Sequence, residues 1–450
     1  MRNLPYQSAL INGNLAMALA PALTPKGIVE KPLFFKGTAA YPQILSRGFV
    51  VLSEITATRY FKQVPTTMRD PILSSQGDIL RAEVFSACNS VYARLDLLQN
   101  GFDGEIGFGT TNVDIGPKLR AALTNVKKDD NMKLEIGGDG LNVQTVKQTE
   151  GNIKDFGTTI IERPVTMPDR WIRALGNANQ INKTFVPIFE ISGIQATTFI
   201  AQLPAPTAKS TIGFLVQTPL GIKYSKSSEK GALPVSGIHR LSALKRIFTN
   251  ITKIKFFAPA DAVLQKEPTS FMVQVEFSGG RISLGLTAEA AHGFSGEGAL
   301  LSALATADVV EDAYDISNIL TFNSKVNIND IRKKHNIEQK RAEEAMVYLA
   351  VEGKLGWDLD SGAYFHRELP DDPNRVLKDN PRLVAAKKLI EDKNNIRKDG
   401  ENTYIVHSKD TKYVVDYKGN ADSKCTCRWY FDHKNGRGPC KHILAVSLIK

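Results

Sequence analysis

Cysteine is scarce in this chain: four residues in 450, too few for the disulfide framework that holds small secreted domains together. Long apolar runs are also missing. No uninterrupted stretch approaches the roughly 18 residues a membrane-spanning helix needs, so a membrane partner is not expected. The apolar, Ala-rich stretch from Leu15 to Leu23 follows Asn12, Gly13 and Asn14, with Arg2 as the sole cation before it, which is not the charged start of a secretory leader. A cytoplasmic address is therefore the expectation. Histidine is sparse and scattered, seven in all, and no Ser-His-Asp order or pair of carboxylates at metal-ligand spacing accompanies it. His239, His292, His366 and His407 read as hydrogen-bonded structural residues. Gly107-Phe108-Gly109 lacks the following Lys and helix of a phosphate loop, and in Gly293 to Gly298 the position where a nucleophile elbow needs Gly holds Glu297. A non-enzymatic protein is expected.

Acidic residues are the minority charge. The chain carries 57 Lys plus Arg against 47 Asp plus Glu, a net +10, and from Asp371 to Lys450 the balance is 17 to 11, or +6. Such a basic end favours an anionic partner, of which DNA or RNA is the usual one; a solvated lysine-rich surface is the competing reading.

Three of the four cysteines fall in the last 26 residues. Cys425, Cys427, Cys440 and His442 form a Cys-x-Cys, twelve-residue gap, Cys-x-His array. Thiolate sulfur and imidazole nitrogen are the donors that tetrahedral structural zinc takes, and three Cys with one His fill all four positions. One structural zinc ion is the expectation, against a pair of buried thiols or a Cys425–Cys440 disulfide. Upstream, Tyr413 to Val415 reads as a strand and Lys418-Gly419-Asn420 as a turn; downstream, Pro439 opens a helix whose apolar face is Ile443, Leu444, Val446 and Leu448. His433 lies in the gap among Lys434, Asn435, Gly436 and Arg437 and reads as a spare. Lys424, Arg428, Lys434, Arg437 and Lys441 surround the metal and are candidate phosphate contacts; they also offset the formal −1 of three thiolates and a neutral His on zinc.

The array resembles the SWIM zinc finger, whose signature is Cys-x-Cys, a variable gap and Cys-x-His. Val91-Tyr92-Ala93-Arg94-Leu95-Asp96, Gly109 to Asp114, Gly293 to Gly298 and Tyr364 to Pro370 are similar to segments of bacterial SWIM zinc-finger family proteins. That resemblance implies a DNA-binding or protein-binding module and, as partners, a MoxR-type AAA+ ATPase and von Willebrand A domain proteins.

The fold class expected is α+β and multidomain. Residues 1–305 contain repeated units of a helix followed by a β-meander: Pro117 to Val126, then Lys133 to Ile136 and Leu141 to Val146; a helix from Trp171, then Phe185 to Ile191 and a helix near Thr197 to Gln202; and a helix marked by Leu241, Leu244, Ile247 and Phe248 before the alternating strand Phe271, Val273, Val275, Phe277. This rhythm suggests a clamp-like fold or an irregular α+β region. Residues 306–370 read as a winged helix. Leu320 and Phe322 close its first helix, Asn329 caps the second, Glu338 to Glu352 form the third with Gly353 ending it, and a hairpin joins Leu355-Gly356-Trp357 to Ala363-Tyr364-Phe365. Its third helix carries Glu338, Glu343, Glu344 and Glu352 against Lys340 and Arg341, a poor approach to phosphate. Arg332, Lys333 and Lys334 on the second helix are the candidate backbone contacts. Residues 371–400 read as a charged linker and 401–450 as the finger.

Overall fold

The computed structural model describes residues 8–17, 22–29, 32–58, 60, 71–113, 115–137, 169–206, 209, 211–296, 309–369, 381–419, 422–434 and 438–450. Expected elements at 141–146 and the first part of the charged linker lie outside them. Among the described residues the α-helices are, in chain order, α1 (Pro42–Ala57), α2 (Pro117–Thr124), α3 (Asp169–Lys183), α4 (Gly193–Gln202), α5 (Val309–Ser317), α6 (Ile328–His335), α7 (Gln339–Val351), α8 (Pro381–Glu391), α9 (Arg428–His433) and α10 (Lys441–Ile449). The chain forms two compact units, Met1–Met167 with Thr184–Gly293, and Pro168–Lys183 with Phe294–Lys450. The expected region 1–305 is thus divided: α3 joins the second unit.

The first unit is built on a ten-stranded antiparallel sheet. At its centre the order is Ile251–Pro259, Phe271–Phe277, Gly280–Leu286, Val91–Leu97, Leu80–Phe85 and Ile72–Gln76. The middle pairing joins distant parts of the chain, with Arg281 opposite Asp96 and Leu284 opposite Ala93. Strand alternation sends Val91, Ala93 and Leu95 to an apolar face shared with Ile282, Leu284, Val273 and Val275, all buried. Helix α1 lies on that face, where a Cβ at Gly48 would stand 3.0 Å from Leu95 Cδ1. The opposite face is polar yet equally buried. There Asp96 accepts from Arg281 Nε at 2.7 Å and lies 3.0 Å from Arg94 Nε and 3.3 Å from Arg81 Nη1, while Tyr92 donates to Glu83 at 2.5 Å. The Val91 to Asp96 motif is therefore half core and half ion cluster.

The segment around Leu241 departs from expectation. It is a 3₁₀ run, Ile238–Asn250, with three residues per turn, so Leu241, Leu244 and Ile247 at intervals of three share its buried face and Phe248 turns outward.

In the second unit, α5, α6 and α7 precede the hairpin Leu355–Asp358/Ala363–His366. The cap of α6 is Asn327, whose side chain accepts from the Asn329 amide, and not Asn329 itself. Helix α5 ends at Ser317, before Leu320 and Phe322. Gly353, at φ +82°, lies just past α7 in a left-handed conformation that suits glycine. Asn179 on α3 clasps the hairpin edge: it donates to Leu355 O at 2.7 Å and accepts from the Trp357 amide at 2.9 Å. His366 accepts from the Phe322 amide at 2.7 Å, and Arg367 donates to Gly353 O at 2.8 Å and Leu355 O at 3.2 Å. Helix α7 is buried on two sides. Ala345, Met346 and Leu349 pack with Val309, Ala313 and Ile316 of α5, while Val347 and Val351 join a second core with Leu383, Val406, Ile443 and Leu444.

That second core corrects the expected linker. Leu383, Ala386 and Leu389 of α8 are buried among the finger's apolar residues, and Ile396–Lys398 pairs with Thr403–Ser408 as the outer strand of its four-stranded sheet. Spacing of three along α8 gives a narrow apolar stripe between exposed Lys387, Lys388 and Glu391, so its composition reads as polar although one side is core. The packed C-terminal module is 381–450.

Candidate metal centre

The hairpin Thr403–Ser408/Thr411–Asp416 turns through Lys409, which adopts φ +53°, and its second strand pairs with the short strand Lys424–Cys425. Gly419, at φ +90°, opens the intervening turn; Ser423 closes it by donating to Gly419 O and accepting from the Lys418 amide at 2.9 Å. Register then places Cys425 opposite Val415, on the inner side of the sheet. Cys427 follows two residues later as the N-cap of α9, and Cys440 is the N-cap of α10, where its Sγ accepts from the Ile443 amide at 3.5 Å. Pro439 precedes that cap, so the helix opens at Lys441. The partial positive charge at the start of α10 favours a thiolate at Cys440.

His442, in the first turn of α10, aims Nδ1 at Cys425 Sγ, 3.7 Å away, and at Cys440 Sγ, 3.9 Å away. Its Nε2 is buried and makes no hydrogen bond among the described residues, so the ring is oriented by stacking on Tyr413, 4.1 Å between centroids at 22°. All four ligand atoms lie within 4.8 Å of one another and all four residues are buried. Sulfur at about 2.3 Å and nitrogen at about 2.0 Å from a tetrahedral zinc would stand roughly 3.5–3.8 Å apart, close to the sulfur–nitrogen separations here. The donor set fits.

The thiols also bear on one another. The Cys425 S–H, with Cys440 after it, donates to the Cys427 sulfur and holds that thiol well below the usual thiol range; Cys425, whose proton is engaged by Cys427, is pushed far above it. Cys440 is lowered by Cys425, more than offset by Cys427 and burial, and ends up at about 11. Cys425, Cys427 and Cys440 would have to give up their protons to hold a divalent ion, so zinc binding would release protons.

The supporting contacts come from residues whose role was not evident from spacing. Arg382, in the first turn of α8, donates to Gly438 O at 3.3 Å and Pro439 O at 3.1 Å, the two carbonyls immediately before Cys440. Its guanidinium lies 4.2 Å over the Trp429 ring, and Trp429 Nε1 donates to Gly438 O at 3.2 Å. The approach to the third ligand is therefore fixed from two sides. A run of three aromatics, Trp429 to Phe431, one residue beyond the second cysteine was the visible signal. His433 packs edge-on to Trp429 at 4.3 Å.

The candidate phosphate contacts separate into two kinds. Lys424, Arg428 and Lys434 are exposed; Arg428 is paired with Asp432 at 3.5 Å, and Lys434 lies 5.4 Å from the Tyr430 ring and 5.2 Å from that of Phe431. Lys441 is half-buried and donates to Ser408 Oγ at 2.8 Å, which ties α10 to the hairpin. Arg437 lies outside the described residues. On α6, Lys333 and Lys334 are exposed in the last turn, where cations offset the helix dipole, while Arg332 donates to Asn329 at 3.3 Å and Gln339 at 3.4 Å.

No curated protein matches this chain. Among solved structures it is similar to the proliferating cellular nuclear antigen of Entamoeba histolytica, with TM-score 0.33 and 10% identity over 57% of this chain and 99% of that one. It is also similar to the PCNA2–PCNA3 complex of Sulfolobus tokodaii, with TM-score 0.32 and 9% identity over 56% of this chain and 98% of that one. Residues 413–450 match the SWIM zinc finger family, and the four residues brought together within them, Cys425, Cys427, Cys440 and His442, are positioned to bind one zinc ion.

Proposed function

We propose that this is a non-enzymatic zinc protein whose C-terminal module binds nucleic acid. The donor set supports the first part: four protein ligands complete a tetrahedron, which suits a structural ion and leaves no position for a substrate. The second part rests on the exposed cations Lys424, Arg428 and Lys434 on a module, 381–450, that carries 15 Lys plus Arg against 8 Asp plus Glu. Zinc holds the short strand and α9 that display them, so binding depends on the metal without the metal touching the ligand.

The test is fluorescence anisotropy of the zinc-loaded chain with labelled DNA and RNA across a salt series. Reversing Lys424 and Arg428 to Glu is expected to weaken binding and lower the salt slope by about two, with zinc content unchanged. An unaltered slope with binding intact would remove these residues from the interface.

A second reading, protein docking, is favoured by α7. Arg341, one of its two cations, is held in a bidentate pair with Asp312 at 2.7 and 2.9 Å, which leaves exposed Glu338 and Glu343 as the stronger field. In this reading the second unit contains a winged-helix module, supported by the order of α5, α6, α7 and hairpin and by the bridge from Val326, between the first two helices, to Tyr364. The module would dock on a protein such as a MoxR-type AAA+ ATPase or a von Willebrand A domain protein, and the finger would act beside it.

A further inference from the structure

Helix α9 turns its aromatic residues to opposite sides. Trp429 lies beneath the Arg382 guanidinium and Tyr430 is partly buried against the core, whereas Phe431 is 75% exposed. A cation lies beside that ring and a second one stands on the same short helix. Lys434 holds its ammonium 5.2 Å from the Phe431 centroid, and Arg428, one turn earlier on the helix, has a side chain 93% exposed. Asp432, the one acid of α9, is 3.5 Å from Arg428 and so faces a cation that a phosphate would compete for.

Cations alone would bind single and double strands alike, because both present phosphates. An aromatic face adds something a duplex cannot use, since paired bases already stack on one another and offer no free π-face. We propose that Phe431, flanked by Arg428 and Lys434, is a stacking platform for an unpaired base, so that the module selects single-stranded nucleic acid. This rests on the nucleic-acid reading above and narrows it. The base stacks on the open side of the ring, and the phosphates on either side of it meet Lys434 and Arg428. Zinc fixes the platform indirectly: Cys427 caps α9, and the Phe431 amide donates to Cys427 O at 3.0 Å, so the aromatic stands on the turn that the metal closes.

The test uses the zinc-loaded full-length chain with three probes: labelled oligothymidine, oligouridine and a duplex of the same length. Four proteins are compared, namely wild type, Phe431→Ala, Phe431→Leu and Phe431→Tyr, each checked for zinc content. Wild type should prefer both single strands to the duplex. Phe431→Ala and Phe431→Leu should each lose about tenfold on the single strands and keep duplex affinity, and Phe431→Tyr, which retains the ring, should bind as wild type. Leucine keeps the apolar area and loses the π-face, so a Phe431→Leu protein that binds single strands as tightly as wild type overturns the stacking role. Equal losses on duplex and single strand also overturn it, while leaving nucleic-acid binding in place. No binding of any probe at low salt would overturn both readings together.

Discussion

Asp96 gathers Arg81, Arg94 and Arg281, cations from three strands separated by as much as 200 positions, whereas the zinc ligands all lie between 425 and 442. Both are buried polar centres. In the sheet, charge is neutralised by protein groups that only the finished fold brings together, and the apolar side of the same strands supplies the surrounding core. In the metal centre the neutralising charge would come from an ion, and the ligands themselves are close in sequence. The difference teaches where each unit is vulnerable: the first to loss of one carboxylate or of strand register, the second to loss of an ion.

Removing the ion should produce the largest effect. Structural zinc contributes about 10 kcal/mol or more to small metal-folded modules, so a chelator, Cys440→Ala or His442→Ala should unfold 381–450 and leave the sheet unit intact. Limited proteolysis followed by mass spectrometry reads this directly, and a finger as resistant without zinc as with it would contradict the account. Asp96→Ala comes next. It leaves three buried arginines without their shared carboxylate, a loss of about 3–5 kcal/mol for a broken buried ion pair, and should lower the melting temperature of the first unit while zinc content stays unchanged. If both units respond to both perturbations, the contrast between them fails.

Arg382→Ala sharpens the comparison within the metal module. Loss of its charged hydrogen bonds to Gly438 and Pro439 should cost about 1.5–3 kcal/mol and speed zinc release to a competing chelator roughly tenfold or more. Arg382→Lys should rescue little, because a lysine lacks the planar fork that both bonds two carbonyls and stacks on Trp429. The smallest effect expected is Asn327→Ala, which removes the α6 cap at about 1 kcal/mol, measurable by denaturant unfolding with neither polar centre altered.

The metal ligands were legible because donor chemistry and spacing are both local properties, and so were α7 and the Leu355–His366 hairpin, where apolar residues recur at helical spacing and turn residues separate two aromatic runs. What stayed hidden was non-local. Nothing in Val91 to Asp96 announces that Gly280–Leu286 will pair with it, and Arg94 and Asp96 alternate with apolar neighbours as they would on a half-exposed strand. Helix α8 was hidden for a different reason. Its buried residues are Leu383, Ala386 and Leu389, and the lysines around them gave 381–391 the composition of a linker. Arg382 was invisible with it, since its partners are backbone carbonyls some 56 residues away. Phe431 belonged to a run of three aromatics that was there to be seen, but only the helix shows which of them faces out.

The family match and the packed module do not coincide. Residues 413–450 contain every ligand, yet Ile443 and Leu444 are covered in part by Leu383 and Ala386, which lie outside the matched segment. Grafted alone into another protein, those 38 residues would bring their ligands and leave an oily side uncovered. The oily side of this finger is closed by residues that its own motif does not carry.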